Sequence, residues 1–299
     1  MTAIENQRRA VSVRSTGDTG STRNKRRGRP PVTVGQVISY IFIAIVMVLY
    51  LFPLVFLVNT ALKSNPEFFS NPVGITRTFD IGNFGVAWQK GNFAAYVLNS
   101  VLYTAVAATL STVVSLVLAF PVSRGYLKHS RLWYGMFVVL LFLPNALMTQ
   151  FQLLLRLGLY DTQLGYILIM ASGLGVGPLI ISGYVKSVPK ELDEAAALDG
   201  VGYWRFLFTF LPSLIKPVLA TTFILQAIGV WNDIILATIM LPDPAKSPVT
   251  LGLFAFQGTY TSQWGLLSAA TIIVATPLVI AYIFLQRYLV GGVGGAVKG

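Results

Sequence analysis

Apolar residues along this chain gather into six long runs, at about residues 35–58, 96–120, 132–153, 164–185, 206–231 and 265–286. Each run is long enough to cross about 30 Å of hydrocarbon, which takes roughly 20 helical residues. Only a helix satisfies all its backbone hydrogen bonds within one such segment. The pattern predicts an all-α integral membrane fold with six transmembrane helices over residues 34–289. Between the second and third runs, Pro121 to Arg131 reads as a short basic turn. Arg156 to Gln163 makes an equally short link between the third and fourth. Residues 59–95 and 232–264 are longer, rich in Pro, Asn and aromatics, and read as folded loops resting on the membrane.

The ends of the chain are polar. Residues 1–33 are rich in Arg, Ser, Thr and Gly and cannot bury enough apolar surface to offset the entropy of ordering. They read as a disordered basic tail, and the cluster from Arg23 to Arg29 either simply keeps the N-terminus in the cytoplasm, the simpler reading, or binds anionic lipid head groups. Residues 290–299 form a glycine-rich tail. Orientation follows the Lys/Arg bias. With the N-terminus in the cytoplasm, the inner segments hold sixteen of the 22 Lys/Arg. An even number of spans then puts both termini inside. The first apolar run exceeds the length of a signal-peptide core and lacks a cleavage site, so it stays as a helix.

Composition agrees with this picture and closes several chemistries. Hydrophobic residues make up 55% of the 299 and charged residues 11%, against about 25% charged in a soluble domain. Mean hydropathy is +0.68. With no cysteine, disulfides, thiolate metal sites and cysteine nucleophiles are excluded. A single histidine, His129, cannot build a multi-histidine metal site. The net charge of +11 invites a nucleic-acid reading, but the positive residues sit in the tail and at the ends of apolar runs.

One charged island interrupts the apolar pattern, at Pro189-Lys-Glu-Leu-Asp-Glu-Ala-Ala-Ala-Leu-Asp-Gly200. Pro189 suits the first helical position. Glu191, Asp193 and Glu194 complement the helix dipole in the first turns. Gly200 suits the position just past the end. The spacing predicts a short helix over Pro189–Asp199, with Leu192, Ala195, Ala196 and Asp199 on one side. So short a helix is marginal alone in water and needs a surface to dock on. Acidic residues fit poorly against a negative inner leaflet, which leaves a soluble partner as the better surface.

Two polar stripes lie inside the spans. In the third run Asn145, Thr149, Gln152 and Arg156 share one helical face. In the fifth, Thr222, Gln226, Gly229 and Asp233 repeat the spacing. Polar groups at membrane depth face protein or water. The stripes either line a shared water-accessible path or bond helix to helix. Their amide and hydroxyl chemistry suits a neutral, hydroxyl-rich solute. Ser100, Thr104, Ala107, Ser111 and Ser115 form a small-residue ridge that reads as packing. Gly173 and Gly177 make a G-x-x-x-G packing motif; with Gly175 and Pro178 they alternatively mark an unwound point.

The charged island, with Glu194-Ala195-Ala196, Asp199-Gly200 and then Leu211-Pro212, resembles the "EAA" loop of binding-protein-dependent ABC importer permeases. The likeness continues through Glu67-Phe68-Phe69, Asn83-Phe84, Tyr96-x-x-Asn99-Ser100, Leu157–Thr162, Trp231-Asn232-Asp233, Gln286-Arg287-Tyr288 and Gly294–Gly299, which look like sugar-importer permeases of the maltose/maltodextrin "G" type. It covers nearly everything after residue 35. Two departures are mild: Thr209 stands where Ile is usual, and Val201 where Ala is usual.

The resemblance implies a type I importer permease that catalyses no reaction. Its EAA loop, about 187–205, would be the coupling helix that docks on a separate ATPase through Glu194, Ala195, Ala196, Asp199 and Gly200, with Lys298 of the tail reaching the ATPase dimer. ATP and magnesium would sit on that partner, since no G-x-x-x-x-G-K-[ST] loop occurs in this chain. A second permease subunit and an extracytoplasmic solute-binding protein would complete the machine. Asn145, Thr149, Gln152, Thr222, Gln226, Gly229, Trp231, Asn232 and Asp233 would mark the sugar's route. The rival readings are the same machine carrying a polyamine or phosphate, an ion-coupled secondary transporter, or a structural or sensory membrane protein. Acidic or basic path residues, or buried carboxylates in repeated halves, would favour the first two, and the runs show few of them. A signalling domain would favour the last, and none is recognisable.

Overall fold

The computed structural model describes residues 34–144, 146–258 and 263–294. The chain divides into two units at Tyr50 and Leu51. Among the described residues every regular element is helical. The α-helices are α1 (Val34–Ala61), α2 (Asn65–Ser70), α3 (Gly82–Lys90), α4 (Phe93–Arg124), α5 (Ser130–Leu140), α6 (Leu147–Arg156), α7 (Gln163–Ser172), α8 (Gly177–Ser187), α9 (Glu191–Leu198), α10 (Tyr203–Arg205), α11 (Leu211–Leu214), α12 (Lys216–Trp231), α13 (Ile235–Met240) and α14 (Trp264–Gly294). A π-helical turn, Phe206–Phe210, joins α10 to α11, and 3-10 turns cover Pro244–Lys246 and Val249–Phe256.

Among the described residues three helices are long and apolar enough to cross a membrane: Val34–Ala61, Phe93–Arg124 and Trp264–Phe284. Two bent pairs bring the number to five if each counts as one span. These are Gln163–Ser172 with Gly177–Ser187, bent by 48°, and Tyr203–Leu214 with Lys216–Trp231, bent by 90°. The apolar run over 132–153 is carried by two short helices, α5 and α6. Pro144 lies between them, where a missing N–H and ring clashes stop a helix. Gly173–Val176 breaks α7 from α8, with Gly175 at φ +52°. The chain unwinds there, and of the G-x-x-x-G pair Gly173 lies outside both helices with no close contact while Gly177 packs tightly. A Cβ at Gly177 would lie 2.7 Å from Ser115 Oγ and 2.9 Å from Thr222 Cγ2. The third break, at Ile215, follows the π-helical turn and precedes Pro217; π-turns and prolines are the usual causes of such kinks.

By contrast α4 runs 32 residues without interruption. Pro121 is not in the turn expected after the second run but inside this helix. Its last turn closes at Gly125, φ +77°, with Tyr126 N–H donating to Pro121 O and Gly125 N–H to Val122 O. That is a Schellman end, which glycine makes without steric cost. The small-residue ridge does pack: Ser100, Ala107, Ser111 and Ser115 are buried.

Three buried clusters hold the Leu51–Gly294 part together. One gathers Tyr103, Tyr166, Leu236 and Met240; one Phe120, Val185, Leu207 and Leu211; one Phe93, Trp231, Val249 and Ala270. Among the described residues only α4 and α12 contribute to all three. The loop after α1 is tied internally. Buried Lys63 donates to Asn71 O (2.7 Å) and Pro72 O (3.0 Å). The Glu67 carboxylate accepts from Arg77 N–H and the Thr76 and Thr78 hydroxyls. The Thr78 hydroxyl first, then the Arg77 amide, hold the Glu67 carboxyl below its ordinary value.

Candidate functional site

The charged island forms α9 and is shorter than expected. It begins at Glu191, not Pro189, because Val188 is still extended and Lys190 is the cap. Its far end is as predicted. Gly200 takes φ +76°, Val201 N–H donates to Ala196 O (2.9 Å) and Gly200 N–H to Ala197 O (3.0 Å). This is a second Schellman end, and its usual apolar contact is present: Ala196 and Val201 both pack on the Phe120–Leu207 cluster.

The expected common face of Leu192, Ala195, Ala196 and Asp199 is split. Ala196 faces the chain's own core. Leu192 and Ala196 line a groove of about 350 Å³ with Phe206, Thr209, Phe210 and Leu214. Glu194, Ala195 and Asp199 are exposed, and Leu198 is 90% exposed. The open face thus combines two carboxylates, a small residue that permits close approach, and one leucine. An apolar side chain held that far into water by a capped helix is suited to another surface.

What holds α9 from behind is a residue pair that sequence reasoning missed. Arg124, at the end of α4, places Nε 2.6 Å from Asp193 Oδ2, and both side chains are buried. Arg124 Nη2 donates to Asp193 Oδ1 (2.9 Å) and Nη1 to Val188 O (2.8 Å). Tyr126 OH adds a bond to Asp193 Oδ2 (3.3 Å). Two parallel N–H···O contacts fix orientation as well as distance. The only sequence cue was an arginine too close to an apolar run to be a free loop charge.

The two stripes are not joined to each other by any hydrogen bond among the described residues. Asn145 lies outside those residues, as do Lys298 and the 1–33 and 295–299 ends of the tails. Thr149 and Gln152 are exposed on α6. On α12, Thr222 is buried against Gly177 and its hydroxyl has no partner. Gln226 Nε2 donates to Met170 O (2.8 Å), near the end of α7. Gly229 and Asn232 are exposed. Trp231 is buried, its indole N–H on Val274 O (3.1 Å). Asp233 starts α13: it accepts from Leu236 and Ala237 N–H and from Tyr166 OH (2.9 Å). Much of the α12 stripe therefore binds helix to helix, and the polar side chains left exposed are Thr149, Gln152 and Arg156 on α6 and Asn232 after α12.

The opposite end of α4 holds a loop. Asn99 Nδ2 donates to Ala245 O and Ser247 O, both 3.0 Å, and Tyr103 OH to Lys246 O (2.7 Å). Ser100 Oγ accepts from Val249 N–H (2.7 Å). Lys246 Nζ lies 3.1 Å from both Asp161 and Asp243 carboxylates. The Ala245 amide and then Lys246 lower Asp243 below its ordinary value, and the Asp243 and Asp161 bonds raise Lys246.

Comparison with known proteins fits this arrangement. Residues 91–294 match the model of the family described as binding-protein-dependent transport system inner membrane component. A probable ABC transporter permease of Bacillus subtilis, YurM, is 30% identical, covering 89% of this chain and 90% of the relative. The melibiose/raffinose/stachyose import permease MelC of the same organism is 27% identical over 86% and 94%. Among solved structures, a bacterial ABC transporter involved in import of the acidic polysaccharide alginate superposes with TM-score 0.74 at 19% identity, covering 85% of this chain and 96% of that one. The chain is a membrane protein and belongs to the family of binding-protein-dependent transport system inner membrane components.

Proposed function

We propose that this chain is the permease subunit of an ATP-driven sugar importer, forming half of a translocation path and hydrolysing nothing itself. The observation that carries the reading is α9: a capped helix, locked to its own chain by Asp193 and Ala196, whose other side leaves Glu194, Ala195, Leu198 and Asp199 open. The sugar-import relative described above and the neutral amide and hydroxyl side chains at Thr149, Gln152 and Asn232 support a carbohydrate cargo. The arrangement has six spans, with α5 and α6 together making the third. The basic N-terminal tail, α9 and the Arg124 end of α4 lie in the cytoplasm; the Tyr103 end and the loops after α1 and α12 lie outside. ATP and magnesium are held by a partner ATPase dimer, which receives α9 and the Lys298 tail. A second permease subunit completes the route, and a solute-binding protein delivers sugar at the outer loops. Closure of the ATPase moves α9, and the breaks at residues 173–176 and 215 let the helices rock between inward and outward openings.

A tagged chain purified from its native membrane after mild crosslinking tests this reading. It should bring down an ATPase, a second permease and a solute-binding protein, and its loss should abolish uptake of an oligosaccharide. Recovery of the chain alone, with sugar uptake intact in its absence, would refute the reading.

A further inference from the structure

We propose that α4 is a connecting rod that transmits movement of α9 to the loop at residues 243–251, through one joint at each end. The inference rests on the importer reading for what pushes α9, and on geometry for the rest. At one end the load passes through Arg124, whose two contacts to Asp193 and one to Val188 O leave little play. At the other, Asn99, Ser100 and Tyr103 grip the backbone of residues 245–249. Between Ser100 and Arg124 the helix rises about 36 Å, at roughly 1.5 Å per residue. That exceeds the hydrocarbon thickness, so the two joints sit at opposite faces.

No parallel route is as direct. From α9 through Val188 the chain enters α8, which ends at the 173–176 break. Through α10 it meets the π-helical turn and the 90° bend before α12. A bend absorbs displacement that an unbent helix passes on, and α4 loses only the hydrogen bond of Pro121, in its last turn beside the Arg124 joint. The long helix α14 is also unbroken, but no hydrogen bond or ion pair joins it to α9 among the described residues. Packed interfaces have discrete rather than continuously deformable arrangements, so a displacement at Asp193 reaches the loop as a shift of α4 as a whole. The loop-gripping residues thereby become positioning residues for the nucleotide-driven step, although they lie on the face away from the ATPase.

Hydrogen exchange on the purified complex with its ATPase, with and without ATP and magnesium, tests this. In the wild type, exchange over 243–251 should change several-fold on nucleotide binding. Asp193→Asn should retain the ATPase and lose that response, and Asp193→Glu should restore part of it. Tyr103→Phe combined with Asn99→Ala should lose the response at 243–251 while keeping the response at 125–130. Should Asp193→Asn fail to assemble, this outer-joint variant decides alone, because its inner joint is intact. A wild-type response in either variant with ATPase bound, or a wild-type complex whose loop ignores nucleotide, would overturn the rod. A wild-type chain that binds no ATPase would overturn the importer reading itself, and the rod with it.

Discussion

The two ends of α4 are fastened in opposite ways. The Arg124 end depends on one buried ion pair with a carbonyl and a tyrosine hydroxyl in support. The Tyr103 end is held by three neutral side chains spread over five residues, each bonded to loop backbone. The difference is one of failure mode. Neutral bonds to backbone contribute about 1 kcal/mol each and can be lost singly. A buried ion pair is of little net benefit over an apolar pair, but removing one partner strands a charge. The Arg124 joint is stiff and unforgiving; the Tyr103 joint is redundant.

That contrast can be broken at the stiff end first. Arg124→Ala leaves Asp193 buried without a cation and should cost about 3–5 kcal/mol, read as a fall in thermal midpoint in detergent with proteolysis opening first around α9. The redundant end should respond far less. Tyr103→Phe removes one bond of four and should cost about 1 kcal/mol by the same assay, with no change around α9. The smallest effect is from pH on the half-buried Lys246–Asp243 pair. Asp243 is depressed in the folded loop, so its contribution is full above its ordinary value of 3.8 and is lost as pH falls through the lower folded value. Lys246 is raised, so its contribution is full below 10.5 and is lost as pH rises through the higher folded value. Between those limits exchange of the Ala245 amide, which donates to Asp243 Oδ1, should follow only intrinsic chemistry. A step near neutral pH would show that another group governs the loop.

How much of this was legible in the sequence depended on range. Local signals read true: Gly200 ends α9 as its position after a helical run implies, and the small-residue ridge of α4 is buried. Apolar length found the long helices but not the breaks, because Gly173–Val176 and the π-helical turn interrupt runs that stay apolar. Pro121 misled in the opposite direction, since the last turn of α4 tolerates it and the helix carries Arg124 inward. The ion pair joins residues 69 apart, and no single-chain pattern pairs them. Periodicity put Thr222 and Gln226 together on α12 but also Asp233, which lies past the end of that helix, and it could not foresee that Gln226 bonds to Met170 O or Asp233 to the Tyr166 hydroxyl.

The most direct test of the central claim is ATP-dependent sugar uptake by the complex reconstituted in vesicles, wild type against Glu194→Lys. The Glu194 side chain is exposed and makes no hydrogen bond or ion pair among the described residues, so the variant should insert and fold normally while losing both the co-purifying ATPase and uptake. Uptake at the wild-type rate with lysine at that position would contradict the account.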